Sequence, residues 1–375
     1  MELVTDVHNI RLAPDMGKWN WGFGPPPFGL HYARHLFRDG QAKGNERLRL
    51  MQPEAAGRRW DHTQAWPNQL AEEDHHTTWI ADRTIDFLAG AGDEPTFCWA
   101  SFADPYHPFD PPAPWSDRYT ADDMGEALPV VHPGDLDGKP AFHQSWSDGF
   151  RGTLFEWANP GWAKLDDAQR RSVLAGYYGM VAHIDHHVGR ILDALAASGR
   201  AEDTLVIFSA DHGDYLGDHE LMLKGPIHYE SLVRVPLIVR GPGFAAGATH
   251  DDPVGTIDLA PTVLDAVGHP AATFHEGRSL QGQLTNPREE VLTEDDMVEG
   301  FLQSRTLTTK RFRLTRDLVT DANGELYDLD DDPGELTNRW GDPALAAEQA
   351  DLLAHLHAVM RHDRGRIVPQ VCEAG

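Results

Sequence analysis

Positive charge, cysteine and long apolar runs are all scarce in this chain of 375 residues. Its 32 basic residues face 59 acidic ones, and a net charge of −27 argues against a nucleic-acid partner. The two cysteines, Cys98 and Cys372, form neither a disulfide framework nor a metal-binding spacing. No apolar run reaches the ~20 residues of a membrane-spanning helix. The sequence therefore predicts no nucleic-acid partner and no membrane partner.

A secretory signal is also missing from the start of the sequence. Residues 1–20 lack the basic, apolar and small-residue segments of a signal peptide. This favours a cytoplasmic location, unless a signal peptide precedes residue 1. The localisation therefore stays open. The apolar content of 41% is enough for one large domain, or for one large domain and a small one. No pattern indicates the oligomeric state.

Two short apolar runs, Leu205–Phe208 and Val235–Val239, enclose a polar loop that begins with Asp211 and His212. Continuous runs of β-forming residues are typical of strands covered on both faces in a parallel sheet. Ligands bind at the carboxyl edge of such sheets, where Asp211 and His212 could hold a divalent cation. Lys224 returns a positive charge to this edge, which suits a tetrahedral oxyanion. An ordinary polar turn with a solvated histidine and lysine explains the spacing equally well.

The same stretch resembles the sulfatases of the alkaline-phosphatase-like superfamily. Sulfatases place a metal pair after a strand, then Gly-Asp/Glu-His, a sulfate-contacting lysine and Arg-Val-Pro. Here these motifs read Asp211-His212-Gly213, Gly217-Asp218-His219, Lys224 and Arg234-Val235-Pro236. The similarity runs from about residue 70 to about residue 360 and includes Glu325–Leu329 with Asn338. The order and spacing of the motifs are far more specific than any single triplet.

The resemblance implies an α/β fold with a mixed, mostly parallel sheet flanked by helices and a small C-terminal antiparallel α+β subdomain. We expect a sulfatase-type domain at 1–285, the subdomain at 286–365 and a tail at 366–375. The implied activity is hydrolysis of a sulfate monoester, with a small molecule or a carbohydrate as substrate. The implied metal ligands are Asp211 and His212, and the implied ion is Ca²⁺, with Mg²⁺ or Mn²⁺ as alternatives.

A further apolar run, Thr96–Phe102, predicts a buried strand that leads into Asp104-Pro105-Tyr106-His107-Pro108. Sulfatases carry a histidine directly after the first proline of this motif, and that histidine contacts the sulfate ester. Tyr106 occupies the position here, and His107 follows it. The resemblance thus implies substrate binding by Lys224, His107 and Tyr106, and catalytic roles for His107 and Lys224. Either His107 is the proton donor, which its chemistry near neutral pH favours, or Tyr106 hydrogen-bonds the ester and the acid is lost.

Two sulfatase motifs are not found in the 375 residues. One is an apolar strand that ends in two metal-binding aspartates. The other is Cys-x-Pro-x-Arg, whose cysteine is converted to the formylglycine nucleophile. We expect the chain to start downstream of both, because Gly17-Lys18-Trp19 resembles the element that follows them, and we expect the chain alone to be inactive. The alternatives are a phosphonate or phosphate ester hydrolase of the same superfamily, and a non-catalytic remnant that binds an oxyanion or a partner.

Two histidine pairs lie on predicted helices. His183 and His187 share one face of a helix predicted over Asp167–Ser198, but the sequence shows no third metal ligand nearby and favours a structural role. His75 and His76, at the start of a helix that ends near Gly90, are interpreted as solvent-facing.

The remaining segments are predicted from their residue composition and from the length of their apolar runs. Residues before about 72 are predicted to be irregular, and residues 110–165 loop-rich. Short β-runs from about residue 288, followed by a helix over 343–361, predict a small antiparallel sheet with one covering helix.

Overall fold

The computed structural model describes residues 35–58, 63–130, 132–148, 161–270, 275–298, 302–319 and 324–360. The chain divides into two compact units. The first comprises Met1–Val130 and Asp148–Thr204, and the second comprises Val131–Ser147 and Leu205–Gly375. The predicted domain boundary at residue 285 stays a prediction, as does the tail, which lies outside the described residues.

The helices and strands of the described residues are as follows. The helices are α1 (Gln41–Leu50), α2 (His76–Gly90), α3 (Ala141–Ser147), α4 (Asp167–Ala197), α5 (Glu230–Val233), α6 (Leu259–Ala266), α7 (Leu280–Gln283) and α8 (Ala346–Val359). The strands are β1 (Val206–Ser209), β2 (Leu237–Arg240), β3 (Glu290–Val298), β4 (Leu302–Thr309), β5 (Phe312–Asp317) and β6 (Gly324–Asp328). None of these helices has the length and apolar character needed to cross a membrane.

The long helix α4 confirms the prediction from its apolar periodicity. Its start is fixed by a reciprocal cap, in which the Asp166 carboxylate accepts from the Gln169 N–H and the Gln169 side chain accepts from the Asp166 N–H. Its end is followed by Gly199 at φ +73°, a backbone conformation that glycine adopts without strain. The buried face of α4 packs against α2. The helix predicted to end near Gly90 is confirmed by α2. These two helices position the histidines discussed below.

Two secondary-structure predictions for the first unit are wrong. Helix α1 lies in a segment predicted to be irregular. The run Thr96–Phe102 forms no strand, and Trp99 within it is 56% exposed. An apolar run sets a preference for extended backbone, but a strand also needs a hydrogen-bonding neighbour, and no described strand pairs with this run.

Strands β1 and β2 of the second unit pair antiparallel, with Val206 opposite Arg240 and Ser209 opposite Leu237. An antiparallel pair is compatible with the predicted mixed sheet. The connection between the two strands contains only short helical turns and no long crossover helix, and a parallel pair requires such a crossover. The opposed Phe208 and Ile238 are both exposed, so this pair is not covered on both faces.

The C-terminal antiparallel sheet is confirmed, in the order β3-β4-β5-β6. Helix α8 packs on it, close to the predicted range, and Leu356 and Leu352 lie against Leu307, Leu314 and Leu326. Full burial of a leucine side chain stabilises a fold by about 1.5–3 kcal/mol. This cluster is therefore a sufficient reason for the helix to cover the sheet.

Candidate active site

Asp211 and His212 follow strand β1 directly and lie on an open loop. The Nδ1 atom of His212 is 2.7 Å from the Gly213 carbonyl oxygen. Because a carbonyl only accepts, Nδ1 carries the proton and Nε2 presents a lone pair. That Nε2 lies 3.7 Å from Oδ2 of Asp211, whose side chain is 80% exposed. An oxygen donor and a nitrogen donor at this separation fit a divalent cation, so the donor set agrees with the predicted metal pair.

Lys224 lies beside this pair, with its Nζ 3.1 Å from Nε2 of His212. Burial lowers the pKa of Lys224, and the charges of Asp211 and Asp214 partly offset that shift. Burial also raises the pKa of Asp214 to about 7, against the opposing effects of backbone hydrogen bonds and Lys224. The structure thus places Asp211, His212 and Lys224 side by side, and their assignment as site residues stays a prediction. Asp214 was not singled out from the sequence.

Gly213 allows the loop to approach helix α5 closely. A Cβ atom at this position would lie 2.0 Å from the Ser231 carbonyl oxygen. The Gly213 N–H donates to the Leu232 carbonyl at 2.7 Å. Close approach of two backbone segments, rather than a positive φ, is therefore the reason for glycine.

Helix α5 is in turn fixed by the buried Arg313 of strand β5. Its guanidinium donates to Oε2 of Glu230 and to Oε1 of Glu335, each at 2.5 Å. Charge-assisted hydrogen bonds to both sides of one guanidinium fix its geometry. The C-terminal sheet thereby fixes α5, and α5 fixes the loop that carries the metal pair.

Tyr106 and His107 belong to the first unit. Their rings stack with centroids 4.1 Å apart. His107 is buried, whereas Tyr106 is half-buried. The assignment of His107, rather than Tyr106, as the residue that faces the ester stays a prediction.

The same unit contains two groups of possible metal ligands that the sequence analysis did not assign. Glu72, His183 and His187 form the first group, and His75, His76 and Asp104 form the second. His75 and His76 are buried, so the prediction that they face solvent is wrong. The reason is local: the His75 ring accepts from the Thr77 N–H as a helix cap, and Nε2 of His76 lies 3.2 Å from Asp104 Oδ1.

The prediction that His183 and His187 lack a third ligand is also wrong, because Glu72 lies close to both. Burial, with a smaller contribution from the neighbouring His187, lowers the pKa of His183 to about 2. Burial, followed by the Arg190 charge, lowers the pKa of His187 to about 4. Both imidazoles are therefore neutral near pH 7, and each ring carries one lone pair. The four-residue spacing on one helix face was the available signal, and Glu72 is too distant in sequence to complete it.

The chain matches known proteins over most of its length. Residues 30–269 match the family model described as Sulfatase, and residues 217–362 match the model described as N-sulphoglucosamine sulphohydrolase, C-terminal. The chain is 29% identical over 329 residues to the multifunctional alkaline phosphatase superfamily protein PehA of Trinickia caryophylli, covering 80% of this chain and 63% of PehA. It is 32% identical over 276 residues to an arylsulfatase of Clostridium perfringens, covering 70% of this chain and 53% of that enzyme. The chain thus spans between about half and two thirds of these relatives.

A solved structure gives the same picture of the fold. The phosphonate monoester hydrolase of Silicibacter pomeroyi superposes with a TM-score of 0.73 at 27% identity, covering 89% of this chain and 70% of that one. A phosphonate monoester hydrolase of Agrobacterium radiobacter also superposes with a TM-score of 0.73. These likenesses confirm the predicted alkaline-phosphatase-like α/β class with a C-terminal antiparallel sheet.

Proposed function

Because the chain belongs to the sulfatase family, we propose that it contributes the metal-binding and oxyanion-binding parts of a site that hydrolyses sulfate monoesters. The observation that carries the proposal is the convergence of Asp211, His212 and Lys224 on one loop, with separations of 3.7 and 3.1 Å. Asp211 and His212 would hold a divalent ion, for which Ca²⁺ is our choice. When bound, such an ion polarises the oxygens of an ester group.

The chain's own side chains have distinct roles in this proposal. Lys224 holds a sulfuryl oxygen, and burial strengthens its attraction for the developing negative charge. The Gly213 carbonyl keeps the His212 proton on Nδ1, so that the Nε2 lone pair, which contacts Lys224 Nζ at 3.1 Å, would pass to the ion when it binds. His107 donates a proton to the leaving alcohol, a role for which its ring chemistry suits it better than the phenol of Tyr106. The substrate is a sulfated small molecule or carbohydrate.

The nucleophile is the part that these residues do not supply. Neither cysteine stands in a Cys-x-Pro-x-Arg context, since Cys98 is followed by Trp-Ala-Ser and Cys372 by Glu-Ala-Gly. Removal of a nucleophile costs about 10⁶ in rate in well-studied hydrolases. Residues 1–375 alone should therefore show no measurable turnover and need a segment that carries formylglycine.

Phosphonate monoester hydrolysis is the second candidate function. It is supported by the superposition on the phosphonate monoester hydrolase of Silicibacter pomeroyi, with a TM-score of 0.73 at 27% identity. A phosphonate monoester presents a tetrahedral oxyanion, which the same metal pair and lysine could bind. The alkyl substituent on phosphorus replaces one oxygen of a sulfate ester. Relative turnover of the two ester types therefore separates the candidates.

The test compares residues 1–375 with the same chain extended by a segment that carries the aspartate pair and a formylglycine. Both proteins are assayed on an aryl sulfate and on an aryl phosphonate monoester, with Ca²⁺ or Mn²⁺. The proposal predicts metal-dependent turnover by the extended chain, with the sulfate preferred, and none by the short chain. Lys224→Met in the extended chain should lower kcat/KM by about 10²–10³.

Three results would contradict the proposal. Turnover by the short chain would reveal a nucleophile among residues 1–375. An extended chain that binds sulfate but hydrolyses neither ester would support the non-catalytic alternative. A strong preference for the phosphonate would support the second candidate instead.

A further inference from the structure

A compact group of four side chains connects two helices of the first unit. Glu72 precedes α2, Thr78 lies in the first turn of α2, and His183 and His187 lie one turn apart on α4. The two histidine Nε2 atoms are 3.0 Å apart. Oε1 of Glu72 is 3.7 Å from one and 3.8 Å from the other. The Thr78 hydroxyl is 3.3 Å from His183 Nε2 and 3.0 Å from His187 Nε2.

We propose that Glu72, His183 and His187 form a zinc site, with the Thr78 hydroxyl beside the fourth position. Ligands that lie 2.0–2.1 Å from a tetrahedral zinc ion are about 3.3 Å from one another. The separations of 3.0, 3.7 and 3.8 Å fall on both sides of that value. A displacement of a few tenths of an ångström would therefore bring all three donor atoms to bonding distance from one point.

The donor types favour zinc over the ion proposed for Asp211 and His212. Two imidazole nitrogens and one carboxylate oxygen suit zinc, whereas calcium and magnesium prefer sets of oxygen ligands. The histidines are buried, and the Glu72 side chain is 32% exposed, so an ion has a route to the site past the carboxylate. A site that joins α2 to α4 in this way would act by stabilising their packing.

Trp115 supports the arrangement from outside the donor set. Its indole N–H donates to Oε1 of Glu72 at 3.0 Å, so it holds the same oxygen that faces both histidines. Its ring also stacks on that of His183, with centroids 5.3 Å apart. A partner that orients a ligand in this way typically changes metal affinity 10–100-fold when it is removed.

Arg190 opposes zinc binding, so the proposal predicts that removal of its side chain raises the zinc affinity. Its Nη1 lies 2.9 Å from His187 Nδ1, and a guanidinium only donates. In the metal-free chain Nδ1 therefore accepts, and the His187 proton is on Nε2. Zinc at Nε2 requires that proton to move to Nδ1, which displaces the Arg190 contact. Arg190 retains Asp82 as a partner at 2.7 Å, and both side chains are part-exposed, so the guanidinium has room to move.

The test uses the full 375-residue chain, stripped of metal and titrated with Zn²⁺ by calorimetry, with bound zinc counted after gel filtration. We expect one zinc ion whose affinity falls at least about 100-fold in Glu72→Gln and in His187→Gln. His186→Gln is the matched control, because this exposed histidine lies on the same helix outside the donor set. Asp211→Asn should also leave the zinc affinity unchanged, which separates this site from the proposed catalytic ion.

Arg190→Ala should increase the zinc affinity, about tenfold if the contact with His187 is worth a typical charged hydrogen bond. A hydrogen-bonded histidine pair with no metal function predicts instead that Arg190→Ala leaves zinc binding unaltered. Equal zinc binding by the Glu72→Gln and native chains, loss of zinc in Asp211→Asn, or no zinc binding at all would each overturn the proposal. If His187→Gln does not fold, the part-exposed Glu72 and Arg190 variants still decide the question.

Discussion

Two of the candidate metal groups, the pair Asp211 and His212 and the group Glu72, His183 and His187, contrast in burial and in donor type. Asp211 and His212 lie on an open loop after β1, with one carboxylate largely in solvent. His183 and His187 are buried on α4, and the Glu72 side chain beside them is 32% exposed. The open loop suits an ion that must meet a substrate. The closed group suits an ion that holds two helices together.

The two groups also differ in the contacts that hold them in place. The open loop depends on backbone contacts, because Gly213 lies directly against α5 and Arg313 fixes α5 from the sheet. The closed group depends on side-chain contacts, since Trp115, Thr78 and Arg190 each bond to a member. In both groups a side-chain contact must be rearranged before an ion can bind, namely Lys224 at Nε2 of His212 and Arg190 at Nδ1 of His187.

The largest expected difference is in metal affinity. Three donors with two imidazoles should bind zinc at least about a thousandfold more tightly than Asp211 and His212 alone bind calcium, a difference of about 4 kcal/mol. Calorimetric titration of the metal-stripped chain with each ion measures both values. Asp211→Asn should remove the calcium signal alone, and Glu72→Gln the zinc signal alone. Similar affinities for the two ions, or a variant that affects both signals, would contradict the assignment of two distinct metal groups.

A second prediction compares the histidines themselves in the metal-free chain. His183→Ala should lower the free energy of unfolding by about 3 kcal/mol, because it opens a cavity beside the Trp115 ring and removes the Thr78 hydrogen bond. His212→Ala, on the open loop, should change it by less than about 0.5 kcal/mol. Urea unfolding of the two variants and the native chain measures both changes. A large loss for His212→Ala would show that the open loop is also a stabilising element.

The open group was predictable from sequence because its residues are close together along the chain. Asp211, His212 and Lys224 fall within one loop, so a local motif contains them all. The closed group was not, because Glu72 and His183 are brought together by the packing of α2 against α4. A spacing of four residues showed that His183 and His187 share a face, but it could not show what that face contacts.

The fold, too, was predictable only where its contacts lie within one segment of the chain. Apolar periodicity predicted α4 nearly to the residue, because a helix makes its hydrogen bonds within one segment. The run Thr96–Phe102 has a similar apolar content, yet it forms no strand, because strand pairing depends on a second segment. The antiparallel orientation of β2 relative to β1 likewise depends on how two segments pair, and no apolar pattern within one segment indicates it.

A third prediction tests the backbone contact beneath the open loop. Gly213→Ala should destabilise the chain by about 2–3 kcal/mol, because the new Cβ would lie 2.0 Å from the Ser231 carbonyl oxygen and the backbone must shift. Gly282→Ala is the matched control in the same unit, since a Cβ there meets nothing within 4 Å. Unfolding free energies and calcium affinity are measured for both variants. If Gly213→Ala matched the control in both, the loop would not depend on this close approach.

The smallest expected effect concerns a buried histidine in the same unit as the open loop. Nδ1 of His228 lies 2.7 Å from the Thr306 hydroxyl, and burial lowers the pKa of His228 from 6.5 to about 4, with Glu325 opposing the shift. Because the folded pKa is the lower one, the folded chain binds fewer protons. The contribution of His228 to stability is therefore complete above pH 6.5 and is lost as the pH falls towards 4.

The loss due to His228 between pH 8 and pH 5 should be about 2 kcal/mol. His228→Gln removes the titrating ring and keeps a polar partner for Thr306, so its unfolding free energy should fall by about 2 kcal/mol less over this range. Urea unfolding of both chains at several pH values measures the difference. Parallel curves would show that burial alone does not set the protonation of a histidine in this unit. Burial could then no longer be used to infer that His183 and His187 are neutral, and the two metal groups would differ only in their exposure to solvent.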